Sequence, residues 1–555
     1  MSDLINEIII LTPFLIAVIL LIGFKFKADS TGTILFIIIF VSALTFFHTD
    51  WKVTLLVSLA GVVKSFPISL MVLTSIFMMT VMEKTGALAK IVVNFKKIGG
   101  GNQPFQIMLI NLSLGTFLVS IGATPVTMLP PVLAAMGYST FISVALPSLG
   151  YDPLCTFALL AVPAVFFAEF MGISLAEAGF AFSIYMPLVT TGIAFGMLWL
   201  VGKKKMVLSK DGIIFASIAG LVSGGTAILT NYFGIVTLTG VIAGTFTGIA
   251  LIIVAKLRHI KIIDSSILNE EEEKIDASMP LWRALSPWIL LITFAVITNL
   301  VPPIFSFLHN TIALPIKIGE VIVNTSVFSQ AYFWMLIATL ISFPILKIKG
   351  ETIKSSITIW GKRSYRPVYA AAIYFSVAFI FIYSGTTINS VGWIHNSDNN
   401  MIYLLAKATA AQFGNFYPLI VPFIGMLGGF ISGSETSSIA MFTNYHSQTA
   451  TQLGISALVV GSANGIGGGL ASVISPAKIQ NAAATIDEVG IEGEVIKKAA
   501  PIALIMTSSV AVFCLSWANQ YPWWLWIVSF AILIIILISL AYIGRLGKII
   551  FKSKK

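Results

Sequence analysis

The chain has 555 residues, of which 57% are hydrophobic and only 10% charged, with a mean hydropathy of +0.96. So few charges cannot clothe a water-exposed surface, which excludes a soluble globular domain. The net charge of +10 comes from basic residues scattered in short loops between apolar runs, so it reads as cytoplasmic loop charge under the positive-inside rule, and no nucleic-acid partner is expected.

Apolar runs long enough to cross a hydrocarbon core of roughly 30 Å recur from end to end. The fold class expected is an all-α polytopic membrane protein with about 13 transmembrane segments. The first run, Glu7 to Phe24, follows Asp3 and Glu7 and ends in Lys25 and Lys27. A cleaved signal peptide has the opposite polarity, so this segment reads as a retained helix with its N-terminus outside. A second helix (31–47) leads out to a loop holding His48, Asp50 and Lys52. A third, Pro67 to Met82, returns to Lys84, Lys90, Lys96 and Lys97, with Glu83 at the cytoplasmic boundary.

From Asn102 to Ala178 basic residues almost vanish and helix breakers gather: Ile121-Gly-Ala-Thr-Pro125, Pro130-Pro131, Ser148-Leu-Gly-Tyr-Asp152-Pro153 and Pro163. Breakers at membrane depth point to interrupted or re-entrant helices rather than simple spans. A helix over 180–201 ends on Lys203, Lys204 and Lys205. Spans over 212–232 and 236–255 lead to a charged loop, Lys256 to Arg283, whose four acids Glu270 to Glu273 read as solvated. Spans over 284–303 and 331–346 precede a basic loop, Lys347 to Arg366.

The helix Pro367 to Tyr383 then repeats the Pro-started third helix with its basic flank at the opposite end. Leu114, Gly115, Phe117, Met128 and Pro163 recur as Leu427, Gly428, Phe430, Met441 and Pro476, each displaced by 313 (430 minus 117). Opposed flanks with a constant offset predict an inverted-topology repeat with broken helices, an architecture that puts a solute site where the halves meet. The chain is thus divided into N-terminal helices (1–64), a first transport repeat (65–202), linking helices (203–366) with the loop 256–283, a second transport repeat (367–499), and a C-terminal hairpin with a basic tail (500–555). That last part comprises helices over 500–518 and 523–543, interfacial Trp523, Trp524 and Trp526, and Arg545, Lys548, Lys552, Lys554 and Lys555 on the cytoplasmic side.

The stretch Leu427 to Phe442 carries hydroxyls, glycines and one carboxylate through an oily part of the chain. Glycines let a helix stop, and a stopped helix offers free N–H groups and the positive end of its dipole to an anion. One such end contributes about 0.3–2 kcal/mol, less than the several kcal/mol needed to strip a carboxylate of water. Several ends, hydroxyls and a cation must therefore act together. Pro125, Ser432, Gly433, Ser434, Thr436, Ser437, Ser438, Gly465, Ser475 and Lys478 are the candidate substrate contacts, with Thr124 and Asn464. Glu435 either relays a proton or has a structural role, capping a half-helix or pairing with Lys478. Lys478 either faces a substrate carboxylate or snorkels to water. Asp152 is a second, weaker proton-handling candidate and Glu169 a weaker one still.

The remaining chemistry-bearing residues offer nothing comparable. Cys155 and Cys514 sit in apolar runs without paired spacing, so no disulfide or metal is expected. The histidines His48, His259, His309, His395 and His446 show no ligand spacing and read as loop residues. Gly465-Ile-Gly-Gly-Gly469 has no preceding strand and is no dinucleotide loop; neither a cofactor nor an enzymatic activity is expected.

Phe430-Ile-Ser-Gly-Ser-Glu-Thr-Ser-Ser-Ile-Ala-Met-Phe442, Ser462-Ala-Asn-Gly-Ile-Gly-Gly-Gly469, Val473-Ile-Ser-Pro-Ala-Lys-Ile-Gln480 and Gly490-Ile-Glu-Gly-Glu494 together resemble the L-lactate permease family. That family carries a similar Ser-Gly-Ser-Asp-Thr-Ser-Ser block, an Ala-Asn-Ser element and an Ile-Ser-Pro-Gln stretch in the same order. The resemblance implies proton-driven uptake of L-lactate, often also glycolate, across the cell membrane, with Ser432 to Ser438 and Asn464 near the site. Glu435 stands where the family has Asp. Of the first-half block Glu-Gly-Ala-Ala-Gly-Phe-Gly-Thr-Pro-Val only Thr124-Pro125-Val126 remains, with Phe117 where the acid would fall, which marks a divergent member.

The expectation is a secondary transporter of small monocarboxylates by proton symport, its partners being a small carboxylate, a proton and the lipid bilayer. Sodium coupling or a dicarboxylate substrate is the nearest rival, and an ion channel a more distant one. Nothing in the sequence specifies an oligomeric state.

Overall fold

The computed structural model describes residues 3–24, 26–98, 101–120, 125–151, 154–325 and 327–533. Helices dominate, as backbone at membrane depth must satisfy its own hydrogen bonds. Two short antiparallel strand pairs, Pro315–Ile318 with Val321–Asn324 and Thr386–Asn389 with Gly392–His395, lie between helices. Among the described residues seven helices are long and apolar enough to cross a membrane, or eight if Trp51–Lys64 and Ser69–Lys84, bent by 41°, form one span. The chain is a multi-pass, all-α membrane protein. The count of 13 expected from apolar runs is not confirmed: among the described residues Pro125–Ala135, Thr140–Gly150 and Ser286–Thr298, for example, are apolar helices of only 10–17 residues.

Two stretches read as loops are helical. Trp51–Lys64 starts at Asp50, whose carboxylate accepts the Lys52 N–H at 2.7 Å. Most of the basic stretch after Lys347 extends the following span, giving one helix, Gly350–Tyr383, which runs on through Gly361 and Pro367. The run expected over 523–543 is described only as far as residue 533; its remainder and the basic tail lie outside the described residues.

The order of elements recurs. The first series is a helical rod over 103–120, Pro125–Ala135, a split helix (Thr140–Gly150, the turn Cys155–Phe157, Ala158–Met171) and the long helix Leu175–Val207. The second is Tyr417–Ser432, Glu435–Leu453, a split helix (Ala457–Leu470, the turn Ser472–Ile474, Pro476–Ala484) and the long helix Glu492–Ala518. Packing between the series is reciprocal. Ala158–Met171 lies against Glu435–Leu453, while Pro476–Ala484 lies against Pro125–Ala135. The turn Cys155–Phe157 meets Ala457–Leu470, while Ser472–Ile474 meets Thr140–Gly150. Such exchange is what a two-fold relation between halves produces, and it brings both split helices to one place.

The acids Glu270 to Glu273 are the first turn of a helix, Glu270–Ser278, where they complement its dipole, with an Asn269–Glu272 capping box. Asp276 on this helix ties it to Ala87–Lys97: its carboxylate accepts from Lys90 Nζ at 2.7 Å, Lys97 Nζ at 2.9 Å and Asn94 Nδ2 at 3.1 Å. The two lysines hold the Asp276 carboxyl down from the usual 3.8 to about 2. A carboxyl lowered on folding stabilises above its unfolded value, and that contribution fades as pH falls through its folded value. The tie is therefore expected to hold from neutral pH to about 4 and to release between about 4 and 2. In Asp276→Ala, with two buried lysines left without their acceptor, amide exchange across 270–278 should quicken at least ~10-fold at pH 7, the cost of about one charged hydrogen bond. Unchanged exchange would show that the helix is held by other contacts.

Candidate functional site

Tyr417–Ser432 and Glu435–Leu453 form a re-entrant hairpin. Gly433 takes a left-handed conformation (φ 68°) that a side chain would strain, and its N–H closes the first arm on Gly429 O at 2.8 Å. Ser434 is extended and caps the second arm, accepting the Ser437 N–H at 3.3 Å. The arms run antiparallel, since partners on the two arms recede from the tip together. Ser438 Oγ donates to Gly425 O at 2.8 Å, and Tyr417 Oη lies 2.5 Å from His446 Nδ1.

The tip reaches a cavity of about 90 Å³. A water needs about 10–15 Å³ by the same measure, so the space suits a solute of roughly six heavy atoms. The first turns of four helices contribute to its wall: Val126, then Ala158 and Leu159, then Glu435 and Thr436, then Lys478. Leu159 and Ala161 have φ of 51° and 67°, so the start of the third is wound irregularly. Four positive helix ends around one small space favour an anion.

The Glu435 carboxylate accepts from Thr156 Oγ1 at 2.5 Å, with the Cys155 thiol alongside; its Oε2 has no hydrogen-bond partner. Gly469 leaves room for that oxygen, since a Cβ there would stand 2.7 Å from it. Lys478 is 9% exposed, so it does not snorkel to water. Its ammonium donates to Ser472 Oγ at 2.6 Å and sits 3.7 Å from the centre of the Tyr151 ring. Asn481, one turn further, lines the same cavity with Oδ1 unpartnered, and Ser475 Oγ, beside Gly433, is also buried and unpartnered. An acid, a cation and several open oxygens thus border one small space supplied by both halves.

Of the residues singled out in the sequence, Gly433, Ser434, Glu435, Thr436 and Lys478 line the cavity, and Pro125 is buried at the start of the helix bearing Val126. Ser432 and Ser438 serve the hairpin itself, donating to Gly428 O and Gly425 O at 2.8 Å each. Ser437 caps through its N–H. Asn464 and Gly465 sit inside an unbroken helix, Ala457–Leu470, away from the wall. The glycines there do not stop the helix. A Cβ on Gly425, Gly429 or Gly467 would fall on the backbone oxygen of Asn464, Gly468 or Pro422, so they let two helices touch backbone to backbone. Thr124 and Asp152 lie outside the described residues, as does the Glu169 side chain.

Sequence reasoning missed Tyr151, Cys155, Thr156 and Asn481, all within a few residues of breakers it had noticed. His446 is not a loop residue: it is fully buried in the hairpin, with Nε2 3.2 Å from Asn464 Oδ1. An amide oxygen only accepts, so Nε2 carries the proton and Nδ1 accepts from the Tyr417 hydroxyl.

Known proteins match most of the chain. A family model described as L-lactate permease matches residues 6–519. The L-lactate permease of Escherichia coli (strain K12) is 24% identical over 560 residues, covering 93% of this chain and 97% of that one. The glycolate permease GlcA of the same strain is 24% identical over 463 residues, covering 75% and 78%. The L-lactate permease of Streptococcus iniae is 23% identical over 457 residues, covering 81% and 91%. With a match over nearly its whole length, motif blocks in the same order and a multi-pass helical fold, the chain belongs to the L-lactate permease family.

Proposed function

We propose that the protein is a secondary transporter of small monocarboxylates, with L-lactate the leading substrate and glycolate a second, moving each anion together with a proton across the cell membrane. The distribution of Lys and Arg supports an N-terminus outside and a C-terminus in the cytoplasm. The observation that carries this reading is that Lys478 and an open Glu435 oxygen border the same cavity of about 90 Å³, ringed by helix starts. The ammonium and the helix ends offset the cost of drying a carboxylate. Glu435 in its neutral form lets the loaded site cross the low-dielectric barrier with less net charge. The permease family and the substrates named for its relatives support the substrate class.

The test is uptake of labelled L-lactate into proteoliposomes. Uptake should rise with an inward proton gradient, collapse with a protonophore, and be competed by glycolate more than by succinate. Uptake that follows a sodium gradient and ignores pH would replace the proton by sodium. Competition led by succinate would replace the monocarboxylate by a dicarboxylate.

A further inference from the structure

A second acid is buried outside the lining of the cavity, at the start of the helix Glu492–Ala518. Glu492, in the first turn of Glu492–Ala518, is fully buried, and no side chain donates to Oε1 or Oε2; the backbone N–H groups of Gly490 and Glu492 lie beside the carboxylate. Gln480 points its amide into the same place: Nε2 donates to Asp29 Oδ1 at 3.3 Å, and Oε1, also fully buried, has no partner. The charged and titratable groups facing Glu492 are Asp29 and Lys27 from the segment 27–29, and Arg366 and Tyr374 from Gly350–Tyr383. Arg366 stands 3.7 Å from Asp29, so its charge is directed to that acid.

We infer that Glu492 is a second proton-holding site, between the Glu435 cavity and the face of the protein that carries Lys27 and Arg366. The inference rests on the proton-symport reading. A buried carboxylate without a side-chain partner is far costlier than a carboxylic acid, so this position is suited to take up and hold a proton. One short helix, Pro476–Ala484, presents Asn481 to the cavity and Gln480 to the Asp29 cluster, and both amides keep an oxygen open. Open buried oxygens are where bridging waters bind. Glu492 first gives its proton to water beside Asp29; a proton leaving the Glu435 O–H then passes along such waters and forms a new O–H on Glu492, and Glu435 takes a new proton with the next anion, so that each carboxyl is returned to its starting state.

The experiment uses the full chain in proteoliposomes with a trapped pH dye, following proton entry and labelled lactate together. In Glu492→Gln, whose amide does not titrate, proton-driven uptake should fall at least ~10-fold, and its dependence on internal pH should flatten. Glu492→Asp, which returns the acid, should restore proton entry with a displaced pH profile. Proton entry and a pH profile identical to wild type in Glu492→Gln would overturn the inference while leaving symport intact; wild-type uptake without proton entry would sink symport and this site together. If Glu492→Gln does not fold, Gln480→Met decides, a slower proton entry per lactate supporting the site and an unchanged one overturning it.

Discussion

Lys478→Met should leave a folded protein that scarcely recognises its anion. The ammonium is buried, borders the cavity and is held by Ser472 and the Tyr151 ring, so it is already positioned when a carboxylate arrives. Losing one partner of a buried charged contact costs about 2–5 kcal/mol, which corresponds to a rise in Kd of at least ~30-fold. Methionine fills similar space without leaving a charge, so the fold should be kept. Binding of L-lactate to the purified variant, read by calorimetry beside its thermal midpoint, separates the two effects. Wild-type affinity in a stable variant would remove Lys478 from the anion site.

Gly429→Val should prevent the second half from assembling. A Cβ at this position falls on the Gly468 carbonyl oxygen, and backbone, unlike a flexible side chain, has no rotamer into which to retreat. The helices must separate along their length, and a cost above about 3 kcal/mol is expected from overpacking of this kind. Gly225→Ala is the matched control: nothing lies within 4 Å of its Cβ position, and it is inside the helix Lys210–Tyr232. It should be neutral or stabilising by about 0.5–1 kcal/mol. Yield of monodisperse protein after detergent extraction would read both. Normal yield for Gly429→Val would mean that the two helices are not in backbone contact.

The class of fold and the place of the break are legible in the order of residues alone. Only irregular, protein-buried backbone explains Gly433 and Ser434 amid aliphatics, and the helix does end there. What the glycines of 465–469 do is not legible. Glycine marks both a helix stop and a close helix crossing, and only the partner's backbone tells them apart. Lys478 is ambiguous for a similar reason: a lysine near a helix start snorkels or is buried according to what packs over it, here Tyr151 from the other half. Thr156 and Asn481 carry no signal in a single sequence, since a lone hydroxyl or amide in an apolar run is usually bonded within its own helix. His446 is misread as a loop residue because a histidine gains meaning from its neighbours, Tyr417 and Asn464, which are far away in the chain.

The hairpin's internal braces and its glycine contact with Ala457–Leu470 weld those three helices into one stiff block. The tip at Gly433 therefore cannot flap open alone to admit a solute. If the cavity opens in turn to the two sides of the bilayer, the expected place of movement is the seam where Ala158–Met171 and Pro476–Ala484 cross into the opposite half, with the block moving as one body.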